Sequence, residues 1–246
     1  MRCLVISDIH ANLTAFDAVL ADAGKFDVIW CLGDMVGYGP DPNECIERLR
    51  EFPHVCVAGN HDWAVLGQLN LEDFNVDAQR ASLWTRRQLT PDNRAYLESL
   101  PVKLVEEEKF TLVHGSPRQP IWEYILYPSV AKPNFAHFST HFCFVGHTHA
   151  PAIFRYREAG RDSEVCGLLE IYYSRPMLLG NDRLIINPGS VGQPRDGDAR
   201  ASYLILDTEA LTIEYRRVYY PVEVIQSRMD EANLPVRLIT RLSYGW

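Results

Sequence analysis

The chain reads as an α/β protein made of two packed mixed β-sheets flanked by helices. Three observations predict this. Short apolar runs of strand composition alternate with helix-like stretches up to Ala58. From residue 151 the pattern changes to closely spaced strands and turns without long helices between them. Of the 246 residues, 47% are hydrophobic, an ordinary share for a globular protein with a sizeable core. No linker, repeat or low-complexity tract interrupts the sequence, so residues 1–246 are expected to form one domain.

The first strand is expected at residues 3–6, ending at Ser7-Asp8. Asn12 can then cap a helix in which Leu13, Phe16, Val19 and Leu20 recur at helical spacing. A second strand, 28–32, leads to Gly33-Asp34 and a loop rich in glycine and proline. Asp41 or Asn43 opens the next helix, with Cys45, Ile46 and Leu49 inward, and a third strand covers 55–58. This β-α-β-α-β order implies parallel strands and right-handed crossovers. Residues 63–100 read as helical, with Trp63, Trp84, Leu89, Tyr96 and Leu97 as packing residues and Pro91 in a first turn after Thr90. Strands return at 103–106 and 110–113. A loop over 116–128 and a short helix over 129–140 precede a strand ending at Val145. Further strands, largely antiparallel, are expected at 153–157, 168–173, 184–186, 202–206 and 211–218. Helices are expected at 221–233 and 234–242.

The formal net charge of -8 disfavours long nucleic acid as a partner, because a polyanion is repelled at distance. A single phosphate is screened from that charge within about 8 Å at physiological salt. The six cysteines show no C-x-x-C spacing and read as small buried residues in a reducing compartment. No signal-peptide pattern follows Met1, and no apolar run approaches the roughly 20 residues that span a bilayer, so a cytoplasmic protein with no membrane partner is expected. The sequence leaves homo-oligomerisation open.

Five strand ends carry residues that bind metals. Asp8 and His10 follow the first, Asp34 the second and Asn60 the third. His114 follows residues 110–113, and His147 and His149 follow the strand ending at Val145. Ligands of open α/β sheets collect at the carboxyl ends of strands. The interval from Asp8 to Asp34 equals that from Asp34 to Asn60, so two crossovers of one length would bring all three to the same edge. Asp, Asn and His without thiolate suit Mn²⁺, Fe, Zn²⁺, Ni²⁺ or Co²⁺ better than Ca²⁺. Seven candidate ligands exceed the needs of one ion and suit two ions sharing a carboxylate.

The ordered set Asp-x-His, Gly-Asp, Gly-Asn-His-Asp, His-Gly and Gly-His-Thr-His resembles the motifs of the calcineurin-like metallophosphoesterases. Within that family the chain is most similar to the small bacterial and archaeal phosphodiesterase-type members. The segment Asn187-Pro-Gly-Ser-Val-Gly-Gln-Pro-Arg195 resembles a loop of the same subgroup. The resemblance implies a four-layer α/β/β/α sandwich of the metallo-dependent phosphatase type. It implies two divalent transition-metal ions, with manganese the first expectation. Asp8, His10 and His149 would hold one ion, Asn60, His114 and His147 the other, and Asp34 would bridge them. His61 would be the non-ligand histidine at the leaving group, and Asp62 is placed in sequence to orient it.

The implied activity is hydrolysis of a small phosphoester through a metal-bridging hydroxide. The protein Ser/Thr phosphatases of the superfamily carry Asp-Arg-Gly after Gly-Asp, and Glu after Gly-Asn-His. This chain has Gly37-Tyr38-Gly39 and Asp62 instead, which favours phosphodiesters or nucleotides over phosphoproteins. Arg118, Arg195 and Tyr38 are the candidate substrate contacts. Trp122, Tyr124 and Tyr38 could stack on a base, although Trp122 fits a core edge or an oligomer contact better. A phosphomonoesterase or protein phosphatase is the rival enzyme. A catalytically silent protein-binding scaffold is the rival of another class, opposed by the full set of ligands and His61.

Overall fold

The computed structural model describes residues 1–159 and 163–246. β1 (Arg2–Ile6), β2 (Val28–Cys31) and β3 (His54–Cys56) are linked by α1 (Leu13–Ala23) and α2 (Pro42–Arg50). α3 (Asn60–Leu66), α4 (Val76–Gln88) and α5 (Pro91–Glu98) follow, then β4 (Lys103–Glu106), β5 (Phe110–Val113), α6 (Pro128–Asn134) and β6 (Phe142–Phe144). β7 (Ala152–Ala159), β8 (Ser163–Leu168), β9 (Met177–Leu178), β10 (Arg183–Asn187), β11 (Ala201–Asp207) and β12 (Thr212–Val218) complete the sheets, and α7 (Val222–Glu231) and α8 (Val236–Arg241) follow them.

One mixed sheet has the order β3-β2-β1-β11-β12-β9 and the other β4-β5-β6-β10-β7-β8. The strand period of two assigns the faces. Leu4 and Ile6 of β1 pack with Phe16, Val19 and the other helix residues on one side. Cys3 and Val5 point the other way, into a core shared with Phe110, Leu112, Phe142 and Phe144 of the second sheet. The outer face of that sheet, including Cys143 and Ile185, is covered by Ala131 and Phe135 around α6. The order of layers is therefore helix, sheet, sheet, helix, as expected.

β1, β2 and β3 are parallel, with Ile6 beside Cys31 and Cys31 beside Cys56. Their carboxyl ends are thus level, and the equal crossover lengths do align Asp8, Asp34 and Asn60. β5, β6 and β10 are likewise parallel and bring His114 and His147 to the matching edge of the second sheet. The loop 187–195 joins the two edges. Its Val191 and Gly192 N–H groups donate to Ser7 O and Asp8 O, and Arg195 N–H donates to His149 O.

Some local expectations change. The strand expected at 168–173 lies at Ser163–Leu168, because β8 pairs in hairpin register with β7, Phe154 facing Leu168. Residues 63–100 are divided among three α-helices and a 3-10 turn at Leu71–Asp73: Gly67, in left-handed conformation, ends α3. Asp41 precedes α2 but makes no side-chain cap. Its carboxylate instead accepts from Leu13 N–H and pairs with Arg228 of α7. Asn12 does cap α1, its Oδ1 accepting from Ala15 N–H. No helix of the described residues is long and apolar enough to cross a membrane.

Candidate metal centre and active site

The residues that end the central strands adopt backbone conformations that extended chains avoid. Asp8, His10, Asp34, His147 and His149 all have φ between 50° and 66°. Side-chain-bearing residues pay strain for this, and such strain persists where surrounding structure over-determines it. Here the sharp turns direct side chains inward at the sheet edge. Room for the approach comes from glycine: a Cβ on Gly59 would lie 2.0 Å from Asp34 Oδ1, and one on Gly146 2.0 Å from Ser7 Oγ.

Two groups of buried side chains result, Asp8-His10-Asp34-His149 and Asp34-His114-His147. Within each, the ligand atoms lie within 4.8 Å of one another, and Asp34 belongs to both. Asn60 joins the second group, its Oδ1 3.0 Å from His114 Nε2. All seven predicted ligands are therefore brought together.

The imidazoles show what the groups are built to hold. His10 Nδ1 donates to Val36 O, His114 Nδ1 to Leu32 O, and His149 Nδ1 to Gln193 O, at 2.6–3.1 Å. His147 Nε2 donates to Trp122 O at 3.2 Å. Each backbone acceptor fixes a tautomer and leaves the other ring nitrogen as a lone pair. Those lone pairs converge: His10 Nε2 is 3.1 Å from His149 Nε2, and His114 Nε2 is 3.2 Å from His147 Nδ1. Asp8 Oδ1 and Asp34 Oδ2, buried in the same space, have no hydrogen-bond partner among the described residues. Buried acceptors facing acceptors are unfavourable unless a cation lies between them. The donor set of imidazole, carboxylate and amide oxygen fits divalent metal ions.

Electrostatics agree. Burial raises the Asp8 carboxyl to about 7, with the Asp34 charge adding to the effect. Burial also works against ionised Asp34, but His114 foremost, then His61 and His10, hold it well below the carboxylate range. Burial opposes the His114 cation, yet Asp34 and Asp8 raise it to about 9. The position between these groups attracts positive charge, whether a proton or a metal ion.

Around the ligands stand the other predicted residues. His61 is buried, its ring 5.0 Å from that of His10 and 4.3 Å from that of Tyr38. Its N–H donates to Asp34 Oδ1 at 2.8 Å, and its ring Nδ1 has no partner among the described residues. Burial lowers His61 to about 4, so the free ring is neutral. No hydrogen bond joins Asp62 to that ring, contrary to expectation. As the third residue of α3 it turns back and accepts from Gly59, Asp34 and Val36 N–H groups. It shapes the Asp34 loop rather than His61. Arg195 lies over the Tyr38 ring at 5.8 Å, and its buried Nε has no partner among the described residues. Arg118 forms a bidentate pair with Glu123 on the surface and is not brought to the ligand cluster. The carbonyls of Leu32, Val36, Trp122 and Gln193 were invisible to motif reading, since any residue type supplies one.

Residues 1–211 match the model of the calcineurin-like phosphoesterase superfamily domain. The chain belongs to that family. Calcineurin-like phosphoesterases are phosphoester hydrolases, and the buried Asp/His groups are compatible with a metal site. The chain is 48% identical to a metallophosphoesterase from Sphaerobacter thermophilus, with a TM-score of 0.89 and 100% of both chains covered. It is 40% identical to an uncharacterized protein of Methanocaldococcus jannaschii, over 98% of this chain and 97% of that one. A hypothetical protein from Pyrococcus horikoshii OT3 shares the fold at 20% identity and TM-score 0.80, covering 100% of this chain and 98% of its own.

Proposed function

We propose that this phosphoesterase uses two divalent metal ions and acts preferentially on small phosphodiesters. The observation that carries the reading is the pair of ligand groups joined at Asp34, with four imidazole lone pairs turned inward by backbone carbonyls. Asp8, His10 and His149 would hold one ion and Asn60, His114 and His147 the other, with Asp34 shared between the two groups. Bound ions of this class polarise phosphoryl oxygens and make water acidic near neutral pH. Manganese is the first choice of metal.

The remaining work falls to side chains of the chain itself. Arg195 offers an unpaired guanidinium N–H to a non-bridging phosphoryl oxygen. One arginine suits the single charge of a phosphodiester better than the two charges of a monoester. His61 is neutral alone, but an anionic phosphoryl group beside it favours the imidazolium. It thereby gains a proton to place on the departing oxygen. Tyr38 packs against His61 and His10 and keeps both rings in place. The proposal takes residues 1–246 as one domain and the location as cytoplasmic, with which six free cysteines agree.

Hydrolysis of bis(p-nitrophenyl) phosphate and p-nitrophenyl phosphate tests this, with Mn²⁺ or chelator, in wild type and His61→Ala. Chelation should abolish activity, His61→Ala should lower kcat by roughly 10²–10⁴-fold, and the diester should be preferred. Equal rates in every sample would sink the mechanism.

A further inference from the structure

Beside the ligand cluster, between β5 and α6, stand two aromatic rings that the metal chemistry does not use. Tyr124 lies flat on His147, with ring centroids 3.8 Å and planes 20° apart. Trp122 is 6.2 Å from the same imidazole and meets Phe74 edge-on at 4.9 Å. Phe74 in turn meets His61 edge-on at 5.2 Å. The two rings thus continue directly from the catalytic groups. Yet Trp122 is 39% and Tyr124 46% exposed, whereas His61, His147 and Phe74 are buried. His147 covers one face of Tyr124, so the exposed area lies on its other face and rim.

The rings are held in place. Ile121 and Ile125 on either side are buried, and Trp122 O accepts from His147 Nε2. The Glu123 carboxylate accepts from Ser116, Asn134 and Arg118. A surface fixed this firmly loses little freedom when something packs on it. The two rings carry no charge, and most of what they present is apolar ring surface. Its chemistry is that of a stacking platform.

We propose that Trp122 and Tyr124 form the wall that receives a planar aromatic group, nucleobase or aryl, esterified to the phosphate at the ligand cluster. Phosphoesters carrying such a group are then the substrate class. This rests on the phosphoesterase reading, with the phosphate placed by Arg195 and the ligand cluster. The edge-on contact with buried Phe74 agrees with the core-edge expectation for Trp122, and the proposal assigns the exposed remainder of the ring.

Calorimetric binding to the Mn²⁺-loaded protein tests the wall without turnover. Methyl phosphate, phenyl phosphate and a nucleoside 5′-monophosphate share a phosphate and differ in the ring. Ring-bearing ligands should bind wild type at least about tenfold more tightly than methyl phosphate, within the usual range for aromatic stacking. Trp122→Leu and Tyr124→Leu should each reduce that ratio several-fold, and Tyr124→Phe should preserve it. If phenyl phosphate gains and the nucleotide does not, the wall is for aryl groups; the reverse result assigns it to nucleobases. Equal affinities for all three ligands, no detectable binding of any, or a ratio unchanged in both Leu variants overturns the proposal. So does a Trp122→Leu variant that changes oligomeric state and leaves the ratio intact, which would make the patch a contact between copies. Metal content measured alongside shows whether Tyr124→Leu has disturbed His147; if it has, Trp122→Leu decides. Absence of hydrolysis of any phosphoester is a separate result that strikes the catalytic reading alone.

Discussion

Gly59 and Asp62 show how tightly single residues govern the centre. A Cβ at Gly59 would meet both the carboxylate and the N–H of Asp34, at 2.0 and 2.4 Å. The same Asp34 oxygen accepts from His61 N–H at 2.8 Å, so displacing the carboxylate would also break that bond. Gly59→Ala should therefore lose metal affinity and activity together, as read by metal titration and kcat. Asp62 satisfies three buried N–H groups, and removing it leaves them without acceptors. Asp62→Ala should cost about 3 kcal/mol in urea denaturation. Because Asp62 does not hold the His61 ring, Asp62→Asn should change stability and metal affinity while leaving the pH profile of kcat in place. A shifted acid limb would restore the orienting role for Asp62.

Among elements, the contact of α7 with the start of α1 and α2 has its own pH dependence. Asp41 is buried there between Leu13 N–H and Arg228. Burial raises its carboxyl to about 6, with Arg228 opposing. The ordinary unfolded value is near 3.9. The folded chain therefore binds this proton more tightly than the unfolded chain. The associated stability is fully present below about pH 4 and is lost as pH rises through about 6, on the order of 3 kcal/mol. Asp41→Asn removes the titration. Relative to wild type, its Tm should improve steadily from pH 4 to pH 7; a constant difference would refute the assignment. The same residue marks a limit of reading elements locally. Its sequence position says helix cap, and only the arrival of α7 makes it an ion-pair partner.

Across the whole molecule, the candidate metal centre joins both sheets, since Asp8, Asp34 and Asn60 come from one and His114 and His147 from the other. Ions held there would tie the two sheets together and would have no equivalent site in the unfolded chain. At a free metal concentration about a hundred times Kd, the gain is about 2.7 kcal/mol, or roughly 5–10 °C in Tm for a chain of this size. Thermal melts with chelator and after Mn²⁺ re-addition measure it, and identical curves would deny the ions any bond across the sheets.

By itself the sequence determined the inventory of the centre and the edge where it forms. Strand composition, the equal spacing of Asp8, Asp34 and Asn60, and the order of five short motifs are local features, and parallel crossovers convert them directly into position. Tertiary structure decided what each residue faces. It set the tautomers through the carbonyls of Leu32, Val36, Trp122 and Gln193 and turned Asp62 away from His61. It paired Arg118 with Glu123 and laid Tyr124 against His147. It also moved β8 to residues 163–168, where hairpin register with β7 outweighs local strand propensity. Partners of this kind come from loops distant in sequence, through backbone atoms that every residue carries, so no pattern of side chains along the chain encodes them.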